Sequence, residues 1–213
     1  PITDNIFNVA GVTTRRVEPR NTPTTINAVF NFANFWDGRA NNLFNGENPF
    51  GRQDRSARVF RSNGSKIVAQ KTNLADSSLA SQASGPPLSH FEMSFGDGGN
   101  NFRIFPQIGR KLATTRALEH QQIDPADSLL GANAHASGYG LDETYEALIK
   151  QAFRPEYWQY AKYIKLENPT RKRGPGASSS VNGGLKYRIV DAPAPDAFSL
   201  METNFSFFYG VSV

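Results

Sequence analysis

The chain has 213 residues, no cysteine and a formal net charge of +4, with 20% charged and 38% hydrophobic residues. That length can bury one full core or two small ones. The missing cysteines exclude disulfides, thiolate metal sites and a cysteine nucleophile within these residues, and the weak net charge argues against a charge-driven disordered chain.

Eighteen glycines and 13 prolines point to long connections, and 16 phenylalanines and 7 tyrosines to aromatic clusters beneath irregular backbone. No segment approaches the roughly 18 consecutive apolar residues of a membrane span. Basic residues group at Arg15, Arg16 and Arg20, at Arg52, Arg55, Arg58 and Arg61, and at Arg171-Lys172-Arg173. They read as solvated loop charge, because neither an aromatic-interleaved sheet nor a recognition helix accompanies them. Nucleic acid is therefore not an expected partner.

Residues 1–24 contain Pro19 and Pro23 and show no period, so they read as extended loop. From Thr25 to Phe35 the chain alternates small, apolar and amide residues, and Asn27, Asn31 and Asn34 disfavour a long helix. Residues 41–73 are polar and rich in Gly, Arg and Asn, which suggests a surface excursion. A short helix is expected from Asp76 to Ala83, capped by Asp76 or Ser77 and stopped at Gly85-Pro86-Pro87.

Gly96-Asp97-Gly98-Gly99 forms a turn. It is followed by Asn100-Asn101 rather than by a helix with Lys-Ser or Lys-Thr, so it is no phosphate loop. Gly109 to Leu118 is helix-compatible. The clearest helix runs from Asp142, read as its cap, to Phe153, with Tyr145, Leu148, Ile149 and Ala152 at helical spacing and Arg154-Pro155 as its stop. Tyr157 to Tyr163 is an aromatic cluster compatible with another short helix, and Asn168 to Gly184 is low-complexity loop. Ser199 to Val213 suits the first turns of a buried helix. No nucleophile elbow and no histidine pair at zinc spacing occurs.

The densest stretch runs from Arg20 to Met93. It holds Arg20-Asn21-Thr22-Pro23-Thr24, then Phe35-Trp36-Asp37-Gly38-Arg39-Ala40, then Gln82, Gly85-Pro86 and Glu92-Met93. In order, and in the ten-residue step from Gln82 to Glu92, these residues resemble the di-haem cytochrome c peroxidase and MauG family. Ile108-Gly109-Arg110-Lys111-Leu112, Pro125-Ala126-Asp127-Ser128-Leu129-Leu130-Gly131 and Asn204-Phe205-Ser206-Phe207-Phe208-Tyr209-Gly210 extend the resemblance. About half the chain is covered.

The resemblance implies a mainly α, cytochrome c-like di-haem peroxidase fold, of short helices joined by long irregular loops. It treats 1–213 as one partial region: the distal-pocket segment of the first haem domain and the entry to the second. Residues 41–75 and 166–198 would be loop insertions. Two c-type haems are implied, each attached through Cys-x-x-Cys-His, and this chain contains no attachment motif. In the family order one motif precedes the Arg20–Thr24 element and the other follows the Asn204–Gly210 element. The apolar end at Phe205–Val213 and the non-initiator Pro1 read as cuts, so the expected arrangement is a segment lying between the two motifs. A divergent member without haems is the alternative.

By the same resemblance Glu92 is the acid–base carboxylate over the open haem face, Gln82 a hydrogen-bond donor to bound peroxide, and Pro86 part of the pocket wall. Trp36 is the indole between the haems, although its surroundings alone suit a core aromatic. Asn21 matches a position that offers a side-chain oxygen to calcium; an Asx-turn before Pro23 is its local reading. Asp37 and Arg39 read as turn-pinning residues.

A distal histidine, where the family has one, would fall near Thr13, and no histidine precedes His90. That suggests an open distal side. His90, His120 and His135 read as surface or packing residues, His90 being near enough to Glu92 to share its pocket. The expected partners are hydrogen peroxide, a small redox protein or an oxidisable substrate, and the remainder of the polypeptide carrying the haem motifs. The expected activity is peroxide reduction or a MauG-like peroxide-driven oxidation, in the periplasm. A non-catalytic electron-transfer or structural protein and a di-haem oxygenase of an organic substrate are the alternatives.

Overall fold

The computed structural model describes residues 7–15, 17, 21–89, 92–93, 104–167 and 186–213. Arg16, Arg20, His90, the Gly96–Gly99 turn, Arg171-Lys172-Arg173 and the low-complexity loop lie outside the described residues.

The fold is not mainly α. Helix accounts for 29% and strand for 19%, so neither class dominates. A small hairpin pairs β1 (Asn8–Val9) with β2 (Val12–Thr13). A second pairs β3 (Val59–Ser62) with β4 (Ile67–Gln70), Phe60 opposite Ala69. The third sheet has order β6-β5-β7, with β5 at Tyr163–Glu167, β6 at Lys186–Val190 and β7 at Ala197–Phe198, all antiparallel. Period-two alternation accounts for β5. Ile164 and Leu166 are buried while Lys165 faces out to Asp196 at 2.7 Å. The cluster at Tyr157–Tyr163 is thus not a further α-helix: a 3-10 turn at Pro155–Tyr157 leads into β5.

The helices are short. They are α1 (Ser78–Ala83), α2 (Phe105–Ala113), α3 (Tyr145–Ala152), α4 (Leu200–Thr203) and α5 (Phe205–Ser212). Helix α1 falls within the expected span. Helix α3 starts later than expected, because Thr144 rather than Asp142 caps it, its Oγ1 accepting from the Ala147 N–H at 3.2 Å. The Asp142 N–H instead donates to the Asn133 carbonyl. Helix α2 ends at Ala113, since Arg116 leaves to form a β-bridge with Thr144. Ser199 and Glu202 form a reciprocal capping box on α4.

Two apolar clusters carry most of the core. Phe60, Ile104, Ile164, Leu166, Phe198 and Leu200 fill the space between the β3-β4 hairpin and the three-stranded sheet. Leu88, Phe105, Ile149, Met201, Phe205 and Phe208 join α2, α3, α4 and α5, with Phe153 edge-on to Phe208 at 4.7 Å.

The stretch 41–73 is not a surface excursion. Phe44, Asn48 and Phe60 are fully buried, with Glu47 and Val59 nearly so. Its polar composition conceals this, because the buried amides replace water with backbone partners. Asn45 Oδ1 accepts from the N–H groups of Glu47 and Asn48, and its Nδ2 donates to the Gly51 carbonyl at 3.0 Å.

Candidate active site

The site begins with the five residues Phe35 to Arg39, a loop closed at its base by paired hydrogen bonds between the backbones of Asn34 and Ala40 at 3.1 and 3.2 Å. A turn this tight needs left-handed backbone. Gly38 supplies it at φ 68°, and Phe35 also adopts it at φ 63°, a conformation rare outside glycine. Arg39 then fixes the loop's exit. Its guanidinium reaches both oxygens of Asp37 at 3.0 and 3.1 Å and lies 3.8 Å from the Phe35 ring centroid. Burial pushes the Asp37 carboxyl up, but the Arg39 backbone N–H and guanidinium outweigh it and hold the group below its ordinary value. The turn-pinning reading of this pair is what the geometry shows.

Asn34 connects this loop to α1. Its buried side chain donates to the Ala28 carbonyl at 3.2 Å and to the Ser78 Oγ at 3.0 Å, and accepts from Asn31 at 2.9 Å. Ser78 in turn donates to the Asn31 carbonyl. Gln82 lies one helical turn beyond Ser78, on the same face of α1. The amides that argued against a long helix therefore set the distance between Trp36 and Gln82.

The third wall is a chain reversal. Gly85 donates to the Gln82 carbonyl at 3.1 Å, a 3-10 turn follows at Pro86–Leu88, and the Met93 N–H returns to the Pro86 carbonyl at 3.4 Å. The Glu92 N–H donates to the Ser89 carbonyl at 3.2 Å. This closure brings Glu92 back beside Pro86. A Cβ at Gly85 would lie 3.8 Å from Phe35 Cζ, so the reversal and the tryptophan loop are neighbours.

Together these parts enclose a concavity of about 590 Å³ lined by Asn21, Pro23, Phe35, Trp36, Arg39, Gln82, Pro86, Glu92 and Met93, with Thr22 and Thr25 at one side. All five residues singled out in the sequence, Asn21, Trp36, Gln82, Pro86 and Glu92, border this one space. Trp36 is not a core aromatic: it is 80% exposed. Glu92 is half-buried. Gln82 Oε1 is buried with no hydrogen-bond partner. Thr13 lies in β2, exposed, and does not line the pocket; nor do the exposed His120 and the half-buried His135. His135 Nδ1 is engaged with Ser137 Oγ at 2.8 Å. Among the described residues, no three or more His, Cys, Asp or Glu gather where they could hold a metal ion.

Arg39, Phe35 and Met93 are lining residues that sequence reasoning did not assign to the pocket. Their place inside the two densest motifs was the available signal. What could not be read was the Asn34–Ser78 link, which spans 44 residues.

The motifs outside the pocket hold the frame. Arg110 grips both carboxylate oxygens of Glu202 at 2.9 and 3.1 Å and donates to the carbonyls of Ala194 and Ala197. Asn204 accepts from the Phe60 N–H at 2.9 Å and donates to the carbonyls of Phe60 and Tyr157, each at 2.7 Å.

Comparisons with curated proteins and with solved structures give no match. The family model described as di-haem cytochrome c peroxidase matches residues 2–168, well over half of the chain. By that match, the chain belongs to the di-haem cytochrome c peroxidase family.

Proposed function

We propose that this chain supplies the peroxide-facing side of a haem-dependent peroxidase site. The supporting observation is the convergence of Trp36, Gln82, Pro86 and Glu92 on one concavity. The residues present fit the group the family implies. A space of about 590 Å³ walled by Trp36, Phe35, Pro23, Pro86 and Met93 suits a flat, largely apolar ligand. The orphaned Gln82 Oε1 marks a buried polar atom lacking the partner such atoms normally have. Arg39 would meet a haem carboxylate, and the proline, phenylalanine and tryptophan surfaces would cover the macrocycle. When bound, the haem supplies the redox-active iron at which the peroxide bond is broken.

The protein's part is proton handling and shielding. Glu92 takes the proton from one peroxide oxygen and delivers it to the other, so that water leaves. A half-buried carboxylate on a closed turn keeps that geometry without reorganising. The Gln82 amide fixes the peroxide's orientation by hydrogen bonding, and Pro86, with no N–H, adds wall but no competing donor. Trp36, exposed at the pocket, would lie on the path of electrons supplied by a second haem. Asn21, at the pocket's rim, offers an amide oxygen to a calcium ion. Under this reading the attachment cysteines for two c-type haems would lie in other parts of the polypeptide, and a periplasmic location would fit such attachment.

A MauG-like peroxide-driven oxidation uses the same proton chemistry and differs only in what is oxidised. A glutamine with an orphaned oxygen and a carboxylate lining one pocket favour either reading over a non-catalytic electron-transfer role. The test is Glu92→Gln in the haem-loaded full-length protein. Peroxide turnover should fall by about 100-fold or more, with the Soret absorbance retained. Unchanged turnover would remove Glu92 from the reaction.

A further inference from the structure

The arginine run at 52–61 divides into two kinds of side chain. Arg58 donates from Nη1 to the carbonyls of Arg55 and Ala57 at 2.9 and 2.7 Å, and Arg61 pairs with Glu156 at 2.9 Å. Among the described residues, the side chains of Arg52, Arg55 and Lys71 make neither a hydrogen bond nor an ion pair. Those three cations line a second concavity of about 480 Å³ with Asn45, Asp54, Thr72 and Asn73. It shares no residue with the pocket at Trp36.

Single exposed cations are ordinarily solvated and of little consequence. Three around one concave space differ, because low-dielectric walls focus their field on a ligand within it. The turn that carries two of them is also fixed from beneath. Gly51 has φ 54°, and a Cβ there would fall 2.6 Å from Asn41 Oδ1 and 2.8 Å from the Leu43 carbonyl. Buried Asn48 donates to Asp54 Oδ2 at 2.7 Å and accepts from the Phe50 N–H at 3.1 Å. Asp54 Oδ1 accepts from the Ser56 hydroxyl at 2.6 Å, so the lining's carboxylate also serves the turn. Lys71 follows directly after β4, whose last residue Gln70 pairs with Val59. The cations are thus held on two connected, rigid segments, which lowers the ordering cost of binding.

We propose that this concavity binds a small multivalent oxyanion, an organic phosphate or a polycarboxylate, through Arg52, Arg55 and Lys71. Guanidinium forks match the paired oxygens of either group, and the ammonium adds a point charge. A monoanion would satisfy only one of the three cations. The site does not depend on the peroxidase reading.

Isothermal titration of the full-length protein with pyrophosphate and with citrate, at low and at high salt, tests it. At least one should bind saturably, more weakly at high salt. The double variant Arg52→Ser/Arg55→Ser should weaken binding by about tenfold or more, and Lys71→Ser should act in the same direction. Arg61→Ser, which removes a cation already paired with Glu156, should bind as the unsubstituted protein does. Tighter pyrophosphate binding assigns the site to phosphate groups, and tighter citrate binding to polycarboxylates. Absence of saturable binding by both probes, or binding that the double variant leaves unchanged, overturns the proposal. An unshifted thermal midpoint in the variants confirms that the fold was kept.

Discussion

At the scale of single residues, buried amides do the positioning that apolar contacts do elsewhere. Asn34 holds the Trp36 loop against α1 through Ala28, Asn31 and Ser78. Replacing it with alanine leaves the Ala28 carbonyl and the Ser78 hydroxyl short of a partner in a buried place. Asn34→Ala should therefore cost about 1–3 kcal/mol, read as a lower denaturant midpoint with unchanged m. Asp37 makes a pH-dependent contribution. Its carboxyl titrates below its ordinary value of 3.8, so its stabilisation is present above the unfolded value and lost as pH falls through the folded one. Asp37→Asn should be slightly less stable than the unsubstituted protein at neutral pH, by under about 1 kcal/mol for so exposed a pair. Thermal unfolding across the acid range should show that difference vanish. In the sequence, the identity of the pocket residues was legible through motif order, whereas the amide links that set their distances were not. A hydrogen bond between Asn34 and Ser78 leaves no local pattern when 44 residues intervene.

Among the elements, glycine sets how closely helices approach. A Cβ at Gly210 in α5 would lie 2.5 Å from Phe44 Cζ and 3.2 Å from the Ala80 carbonyl, where α5 crosses α1. One at Gly109 in α2 would lie 2.7 Å from Phe205 Cβ. Gly210→Ala should cost about 1–3 kcal/mol by overpacking, measured by chemical denaturation. Because α1 also carries Gln82, the same variant should weaken the pocket. Helix signals read well where a stop stood in sequence, as at Gly85-Pro86 after α1, while the single helix expected over 199–213 is two, α4 and α5. The signals failed at Asp142, where Thr144 two residues later offered a hydroxyl in better register. The strands were missed because Arg61 and Lys165 interrupt apolar runs with charge. In β5 the true period is two, Ile164 and Leu166 facing a core.

At the scale of the whole molecule, three apolar clusters and an amide-rich belt among the described residues replace the mainly helical core expected of the family resemblance. The family itself was legible because its motifs are pocket and frame residues, which keep their identity under chemical constraint. The proportion of strand was not, since it depends on the intervals between those motifs. The fold leaves Trp36, Phe30, Phe32 and Ile26 exposed, and of these Trp36 lines the pocket. In the proposed site, Trp36 would pass electrons toward the peroxide. Trp36→Phe should accordingly slow electron delivery to the peroxide side, observed as slower re-reduction after a peroxide pulse.

The most direct measurement is the bimolecular rate of hydrogen peroxide consumption by the haem-loaded full-length protein, compared by stopped flow with Glu92→Gln and Glu92→Asp. If Glu92 carries the proton between the two oxygens, the glutamine variant should be slower by about 100-fold or more. Aspartate should recover part of that rate. Equal rates in all three proteins would contradict the assignment of this pocket as the peroxide-facing site.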